Sequence, residues 1–232
     1  EMTPILGETV DGRKVTQRSA KVLPETTVYD IDLTLSLPAR VTAASGMNAI
    51  AHAVEGLYAH DANPITSLMA AEGIAALAHA LPQLVDAPDD AGARRDALYG
   101  AWLCGCCLGS MAMGLHHKLC HTLGGMFGLP HAETHAVVLP YATAYNIGAA
   151  PRAMRSIASA LDASRADAGL HDLARRLPLP RTLRELGMPE HGIDAAADEA
   201  VKSPYPNPRP LEHAAIRDLI AAAWSGSPLQ TF

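Results

Sequence analysis

Apolar residues recur at helical spacing over most of the chain, and this pattern begins at Pro38. The first apolar stripe has members three or four residues apart: Met47, Ile50, Val54 and Leu57. Thr42 or Ser45 is the expected cap at the start of this helix. A second helix is predicted after Pro64, and residues 94–123 form a long apolar stretch that predicts a central, tightly packed helix.

Prolines and glycines divide the rest of the chain into further helices. One begins at or after Pro130 and is limited or kinked by Pro140, because proline lacks the amide hydrogen that a helix needs. Residues 151–200 predict two or three amphipathic helices, and Gly226 ends a terminal one. The pattern as a whole predicts a mainly α fold with roughly seven to nine helices.

Residues 1–37 follow a different pattern. The segment KVLPETTVYDIDLTLSLP is rich in Val, Thr and Leu and is broken by prolines, which is typical of one or two strands with a connection. So few strands cannot bury both faces without a partner sheet. The chain also begins without Met, in the middle of a pattern. We therefore expect it to be the back portion of a longer protein.

The composition excludes several classes of function. The 232 residues are 49% hydrophobic and 4% aromatic, which suits a globular protein of one large domain, or of one domain plus part of another. A net charge of -6 without a Lys/Arg cluster argues against a nucleic-acid surface. No apolar run reaches the ~18 residues of a membrane span, and there is no signal-peptide pattern. We expect no nucleic-acid or membrane partner and a cytoplasmic location.

The cysteines do not form a metal-binding motif. Cys104, Cys106 and Cys107 lie in an apolar helical segment, and Cys120 follows further along the chain. No second ligand pair stands at zinc spacing. A redox-active Cys-x-x-Cys pair at 104 and 107 is an alternative, but we expect buried cysteines that act as small hydrophobic residues.

Imidazoles are concentrated in one stretch, GLHHKLCHTLGGMFGLPH, which holds four of the eleven histidines. His117 and His121 are four residues apart and therefore share a helix face. The glycine-rich turn that follows lets His131 return toward this pair, and His135 lies one helical turn further on. Three or four imidazoles are thus expected around one pocket.

The first predicted helix shows the same four-residue spacing. Asn48 and His52 share a face, and Glu55 lies on the same face one turn further along. His116 and Lys118 flank the other pair and are expected to point away from it, toward solvent or a substrate rim. We expect no role for the other five histidines: His60, His79, His171, His191 and His213.

The residues alone leave three interpretations of these segments open. Imidazoles bind divalent transition metals well, although Asn48 offers only a neutral, weaker amide oxygen where such sites usually have a carboxylate. The same imidazoles can transfer protons without a metal. They can also form no more than a hydrogen-bonded polar seam in a core.

Two segments, LPARVTAASGMNAIAHAVEGLYA and GLHHKLCHTLGGMFGLPHAETHAVVLPYATAYN, resemble the iron-containing alcohol dehydrogenase family, and within it the maleylacetate reductases. The resemblance covers essentially the whole chain. It implies that residues 38–232 form an all-helical domain like that of dehydroquinate synthase. Residues 1–37 would be the tail of an N-terminal α/β nucleotide-binding domain. The resemblance also implies a homodimer, with NADH or NADPH bound in the cleft between the domains.

The resemblance also implies roles for individual residues. Metal-dependent members use an Asp and three His, which by position fall on Asn48, His52, His117 and His131. Because Asn48 removes the anionic ligand, we expect no resident Fe or Zn ion; if one is bound, these four residues are its ligands.

The expected catalytic residues are His117, His121 and His131, with His52 in support. His121 would lie near the nicotinamide. Of the residues facing the cofactor, only Thr3 and Lys21 are expected within this chain.

The activity implied by the resemblance is NAD(P)H-dependent reduction of maleylacetate, a small dicarboxylate, to 3-oxoadipate in the breakdown of (chloro)aromatics. One alternative is a metal-dependent alcohol dehydrogenase of the same family. The other is a non-catalytic helical fragment that serves as an interaction module.

Overall fold

A computed structural model describes residues 3–10, 13–202, 205–229 and 232. Within these ranges, a β-hairpin and two short 3-10 helices precede nine α-helices. The hairpin pairs β1 (Ile5–Val10) with β2 (Arg13–Arg18) in antiparallel register, with Ile5 opposite Arg18. The helices are α1 (Ala39–Leu57), α2 (Pro64–Asp86), α3 (Ala91–Ser110), α4 (Leu115–Phe127), α5 (His131–Asn146), α6 (Pro151–Ala160), α7 (Ala166–Arg175), α8 (Ile193–Val201) and α9 (His213–Ser225). The predicted mainly α fold is confirmed.

The strands expected in residues 21–38 are wrong, because the described strands lie earlier and this segment forms turns. The Asp30 carboxylate accepts a hydrogen bond from the Asp32 amide at 2.9 Å. The Thr34 hydroxyl donates to the Ile31 carbonyl at 2.8 Å. Such local side-chain bonds compete with strand pairing and favour turns.

Helix α1 begins earlier than predicted. Its first residue is Ala39, and the Pro38 carbonyl accepts the Thr42 amide at 3.0 Å, so neither Thr42 nor Ser45 is the cap. The Thr42 hydroxyl instead accepts a hydrogen bond from the Arg94 guanidinium at 3.1 Å. The Thr42 side chain, which local sequence rules assign to helix capping, is therefore used in a contact with a residue far away along the chain.

Helix α2 begins as predicted, because the Asn63 side chain accepts the amides of Ile65 and Thr66 in a capping box. By length and composition alone, α2 is apolar enough to cross a membrane. The expectation that no apolar run reaches that length is therefore wrong for this helix. Within the structure, 39% of its most apolar 18-residue window is buried. A core helix meets the same test. Close packing of α2 on α3 occurs at Gly73, where a Cβ would lie 2.9 Å from the Cys104 sulfur.

The single helix predicted over residues 94–123 is wrong, because it divides into α3 and α4, which meet at 93°. Side chains from elsewhere bind the backbone amides exposed at the break. The Asp61 carboxylate accepts the Ala112 amide at 3.0 Å, and the Glu55 carboxylate accepts the Gly114 amide at 2.8 Å. These bonds replace the helical ones and aim the N-terminus of α4 at α1.

Helix α5 continues through Pro140 to Asn146, so the proline does not end the helix. An internal proline costs about 3 kcal/mol in a helix. Every residue from Thr134 to Asn146 is buried, and this packing offsets the cost.

Two hydrophobic clusters share α5. Met47 belongs to the first, which joins α1, α2, α3, α6 and α7, and Leu119 belongs to the second, which joins α4, α5, α8 and α9. Helix α5 places Leu139 in the first cluster and Val138 in the second. It therefore runs between α1 and α4, the two helices that carry the polar spacings found in the sequence.

Three of the four cysteines are buried, as predicted: Cys104, Cys107 and Cys120. Cys106 is half-buried. The end of α9 at Gly226 is also confirmed, because this residue has a φ of 74°, a left-handed conformation that glycine adopts without strain.

Candidate active site

Helices α1, α4 and α5 bring six imidazoles into one cluster. Neighbouring rings lie between 4.4 and 6.5 Å apart, measured between centroids. The contributors are His52 from α1, His116, His117 and His121 from α4, and His131 and His135 from α5. We call this set the histidine cluster.

The turn between α4 and α5 closes the cluster. Gly128 ends α4 with a left-handed φ of 66°, and α5 begins three residues later at His131. The His131 ring then stacks on His121, with centroids 6.1 Å apart and planes 17° apart. The structure thus brings His131 back to the α4 pair, as the sequence predicted.

Burial divides the histidine cluster into two parts. Four inner histidines are almost inaccessible to solvent: His52, His116, His117 and His135. The two rim histidines, His121 and His131, are exposed. The rim pair therefore forms the solvent-facing side of the histidine cluster, and the inner group is enclosed by the protein.

A buried carboxylate, Glu55, organises the inner histidines. It is 1% exposed and accepts the ring Nδ1–H of His117 at 2.7 Å. It also accepts three amides from the start of α4: Gly114 at 2.8 Å, His116 at 2.9 Å and His117 at 3.2 Å. Carboxylates are favoured at helix N-termini, where backbone amides lack helical partners. Glu55 therefore fixes both the position of α4 and the orientation of the His117 ring.

The charge state of Glu55 determines which atom His117 presents to the site. Burial raises the pKa of Glu55, but the hydrogen bond and positive charge from His117 outweigh it and lower the pKa to about 2. The ionised carboxylate only accepts hydrogen bonds, so His117 carries a hydrogen on Nδ1. Its Nε2 then faces away from Glu55, as a lone pair in the neutral ring and as a donor in the protonated ring.

Several buried polar atoms of the histidine cluster and of the nearby Asn48 have no hydrogen-bond partner among the described residues. Among the described residues, four such atoms belong to this region: Asn48 Oδ1, His52 Nδ1, His117 Nε2 and His135 Nε2. A buried polar atom left without a hydrogen bond costs about 1–3 kcal/mol. Four of them in one region indicate a binding site for a polar ligand.

Without such a ligand, three of the inner histidines, His52, His116 and His135, favour the neutral form. Burial, then the charge of His117, lowers the pKa of His52 well below its ordinary value. Burial and His117 likewise lower the pKa of His116 to about 3. The pKa of His135 is lowered well below its ordinary value by burial and by His116. An anion is the ligand that would reverse this preference, because a negative charge favours protonated imidazoles.

The donor set expected for a metal ion is not assembled. Among the described residues, the group of three whose potential ligand atoms all lie within 4.8 Å of one another is His116, Cys120 and His135. Nitrogen atoms that share a zinc ion at 2.0–2.1 Å lie at most about 4.2 Å apart. His52, His117 and His131 do not form such a group, and Asn48 adds no charge. The residues as placed do not fit a resident divalent ion.

The position predicted for His116 is wrong. The ring does not reach solvent or a substrate rim: it is fully buried and lies 4.8 Å from the His135 ring. The reason is that α4 packs against the rest of the protein on more than one side, through Leu119 and Cys120 as well as through His117. His116 stands four residues before the small, apolar Cys120 in an apolar stretch, and this is the signal that the sequence offered.

Two residues expected near the cofactor lie at the start of the chain. Thr3 is buried, and Lys21 is exposed in the 3-10 helix Ala20–Val22. Their assignment to the cofactor stays a prediction. Glu55 was placed by its spacing but given no role, although a carboxylate in an apolar helix is itself a sign of a buried partner.

Comparison with known proteins defines the class. Residues 42–224 match the Fe-containing alcohol dehydrogenase family, C-terminal. The chain therefore belongs to this family, and the predicted resemblance is confirmed.

The similar proteins include several maleylacetate reductases. The enzyme from Burkholderia cepacia is 62% identical over 226 residues, which are 97% of this chain and 64% of that protein. A crystal structure of maleylacetate reductase from Agrobacterium tumefaciens is 53% identical, with a TM-score of 0.95 over 98% of this chain and 65% of that one. A 1,3-propanediol oxidoreductase is 31% identical, with a TM-score of 0.88, over 96% of this chain and 62% of that one. The chain thus spans about 64% of the length of the first of these relatives.

Proposed function

We propose that the protein containing this chain reduces maleylacetate to 3-oxoadipate with NADH or NADPH. The proposal is supported by the identity of 62% to a maleylacetate reductase. The single observation in the structure that carries it is the group of four unpartnered polar atoms beside the rim histidines. The three imidazole nitrogens of this group, His52 Nδ1, His117 Nε2 and His135 Nε2, can carry hydrogens and so suit an anionic ligand such as a dicarboxylate, whereas Asn48 Oδ1 only accepts hydrogen bonds.

The chemistry of the reduction defines what the site has to supply. A bound reduced nicotinamide supplies the hydride, which adds to a carbon–carbon double bond conjugated with a ketone. The π electrons of that bond move toward the ketone oxygen, and an enolate forms. A proton must then be delivered to carbon to complete the saturated product, and the enolate oxygen must be stabilised meanwhile.

The Glu55–His117 pair is suited to deliver this proton. The two carboxylates of the substrate raise the pKa of nearby imidazoles by opposite-charge attraction. Glu55 stabilises the same protonated form of His117 through the bond of 2.7 Å. His117 Nε2–H then points toward the substrate and gives up its proton, and the ring returns to the neutral form held by Glu55.

The other histidines surround the same ligand. The His52 ring stacks on His117, with centroids 5.0 Å apart, and its Nδ1 is one of the unpartnered atoms. On the exposed side, the His121 and His131 rings stack on each other, and the half-buried Lys118 lines a shallow pocket together with His121. A dianion approaching from solvent would be attracted by these groups before it reaches His117.

The remaining parts of the proposal follow the relatives. Residues 1–37 would belong to a nucleotide-binding domain and residues 38–232 to the helical domain. The protein would act as a cytoplasmic homodimer on a small-molecule dicarboxylate. Thr3 and Lys21 would face the cofactor.

One observation favours a second candidate, a metal-dependent alcohol dehydrogenase. Asn48 Oδ1 is buried and unpartnered, so it is free to act as a ligand oxygen. In that case Asn48, His52, His117 and His131 would hold Fe²⁺ or Zn²⁺, after the side chains have moved closer together. The 31% identity to a 1,3-propanediol oxidoreductase is compatible with this candidate.

Substrate choice separates the two candidates. The product of the complete gene should be assayed for NADH oxidation with maleylacetate and, in parallel, with simple aldehydes, under identical conditions. We expect maleylacetate to be reduced with a much higher kcat/KM than any aldehyde. A preference for aldehydes would support the alcohol dehydrogenase, and no turnover of either would support a non-catalytic helical module.

A further inference from the structure

His135 has the geometry of a ligand-binding residue, although the family resemblance gives it no role. It lies on α5, fully buried, one turn after His131. Its Nδ1 is 2.9 Å from His116 Nε2, so one of these nitrogens donates to the other. Its second ring nitrogen, Nε2, is buried and has no partner among the described residues.

The ring of His135 lies between the rim and the inner histidines. Its centroid is 4.4 Å from that of His131, 5.0 Å from His117 and 6.5 Å from His52. His52 and His117 also carry buried nitrogens that have no partner among the described residues, and their rings lie within 6.5 Å of the His135 ring. Three rings that lie close together thus each carry an unpartnered nitrogen that could donate to a carboxylate.

The bond between His116 and His135 has two arrangements when both rings are neutral. In one, His116 Nε2–H donates to His135 Nδ1, so the hydrogen of His135 is on Nε2 and faces the site. In the other, His135 Nδ1–H donates to His116, and Nε2 presents a lone pair. A carboxylate accepts hydrogen bonds and donates none. An anionic ligand therefore selects the first arrangement.

Cys120 lies beside the His116 ring and is compatible with the first arrangement. Its sulfur lies 3.7 Å from His116 Nε2 and 4.0 Å from His116 Nδ1. Burial raises the pKa of the Cys120 thiol well above its ordinary value, so the S–H hydrogen is retained. This hydrogen can be donated to His116 Nδ1 only when the hydrogen of His116 is on Nε2.

We propose that His135 is a further substrate-binding residue, whose Nε2–H donates to a carboxylate oxygen of the substrate, and that His116 is the positioning residue that keeps this hydrogen on Nε2. The assignment rests on the proposed function, because it takes the dicarboxylate as the ligand. It adds a third buried imidazole, on α5, to His52 and His117 among the contacts that recognise the negative charge. It requires no metal ion.

Two substitutions at residue 135 separate its two ring nitrogens. His135→Asn keeps a polar group near the Nδ1 position, and so preserves a partner for His116, but it has nothing at Nε2. His135→Gln reaches the Nε2 position with an amide that donates. We expect His135→Asn to raise the KM for maleylacetate by about tenfold or more, the size of a charge-assisted hydrogen bond, with kcat within threefold. His135→Gln should recover most of this loss.

His116 is tested by a matched pair of variants. His116→Gln retains a donor toward His135, and His116→Leu removes it at similar volume. We expect a raised KM for His116→Leu and a nearly normal one for His116→Gln. Histidine nitrogen NMR on the substrate-saturated wild-type protein should show the hydrogen of His135 on Nε2. Thermal unfolding of every variant identifies any that fail to fold.

The outcomes distinguish this inference from the proposed function. If the wild type reduces maleylacetate but His135→Asn changes KM by less than twofold, the inference is overturned and the function stands. A fall in kcat with unchanged KM, or a hydrogen on His135 Nδ1 in the bound state, also overturns it. If the wild type does not reduce maleylacetate at all, the proposed function fails, and the inference that rests on it fails too.

Discussion

The substitution Glu55→Gln tests the organisation of the site most sharply, because one side chain holds both α4 and His117. One carboxylate oxygen of Glu55 accepts the Gly114 and His117 amides and the His117 ring, and the other accepts the His116 amide and the Tyr58 hydroxyl. Glutamine has the same shape but a single acceptor oxygen. In its better orientation it still leaves the His116 amide facing an NH₂ group.

Two routes give a similar size for the loss of stability. A buried donor without a partner costs about 1–3 kcal/mol, and removal of a charged partner adds to this. Independently, the fall in the pKa of Glu55 from 4.5 to about 2 corresponds to roughly 3 kcal/mol. We therefore expect Glu55→Gln to destabilise the protein by about 3 kcal/mol and to lower Tm by roughly 6–12 °C.

The pKa shift of Glu55 also predicts how the free energy of unfolding changes with pH. The pKa of Glu55 is lower in the folded protein than its ordinary value of 4.5. The contribution of ionised Glu55 to the free energy of unfolding is therefore complete above about pH 4.5 and is lost as the pH falls toward about 2. Glu55→Gln should remove this part of the acid-induced loss, so the difference in unfolding free energy between wild type and variant should shrink in acid.

The assay is denaturant unfolding at neutral and acidic pH, together with maleylacetate turnover at a temperature where both proteins are folded. Glu72→Gln is the matched control, because Glu72 is exposed on α2, and it should change stability by less than about 0.5 kcal/mol. We also expect Glu55→Gln to lower kcat/KM by about 100-fold, since His117 loses the anion that stabilises its protonated form. If Glu55→Gln unfolds and turns over like Glu72→Gln, the role given to Glu55 is refuted.

The remaining predictions concern His117 and proton delivery. His117→Ala should lower kcat by at least ~100-fold, as loss of a proton donor does. The control His79→Ala, at an exposed position on α2, should leave kcat nearly unchanged. A loss of kcat under threefold for His117→Ala would remove His117 from the mechanism. In wild-type protein, kcat should decrease as pH rises from about 6 to 8, because a protonated imidazole is consumed in each turnover. A flat profile over this range would mean that histidine is not the acid.

The sequence predicted the outline of the site because its strongest signals are local. The four-residue spacings of Asn48 with His52 and of His117 with His121 place each pair on one helix face wherever the helix lies. The turn at Gly128 determines where the chain goes next, so the return of His131 was also predictable. These features need no knowledge of distant contacts.

The parts that the sequence did not predict depend on contacts between distant segments. The break between α3 and α4 is held by Asp61 and Glu55, whose side chains bind amides more than fifty residues away along the chain. The hydrophobic periodicity within residues 94–123 does not indicate that Asp61 or Glu55 binds this segment. The burial of His116 likewise depends on α5, which supplies His135 as its hydrogen-bond partner. Local spacing identifies the helix face of a residue, but not which faces the fold will cover.

The central claim is that a metal-free imidazole site, organised by Glu55, reduces an anionic substrate. Its most direct test is the rate of maleylacetate reduction by the product of the complete gene after exhaustive chelation, with the metal content of the same sample measured. We predict an unchanged kcat at far less than one metal ion per chain. Loss of activity on chelation, with recovery on addition of Fe²⁺ or Zn²⁺, would contradict the account and assign Asn48, His52, His117 and His131 to a metal ion.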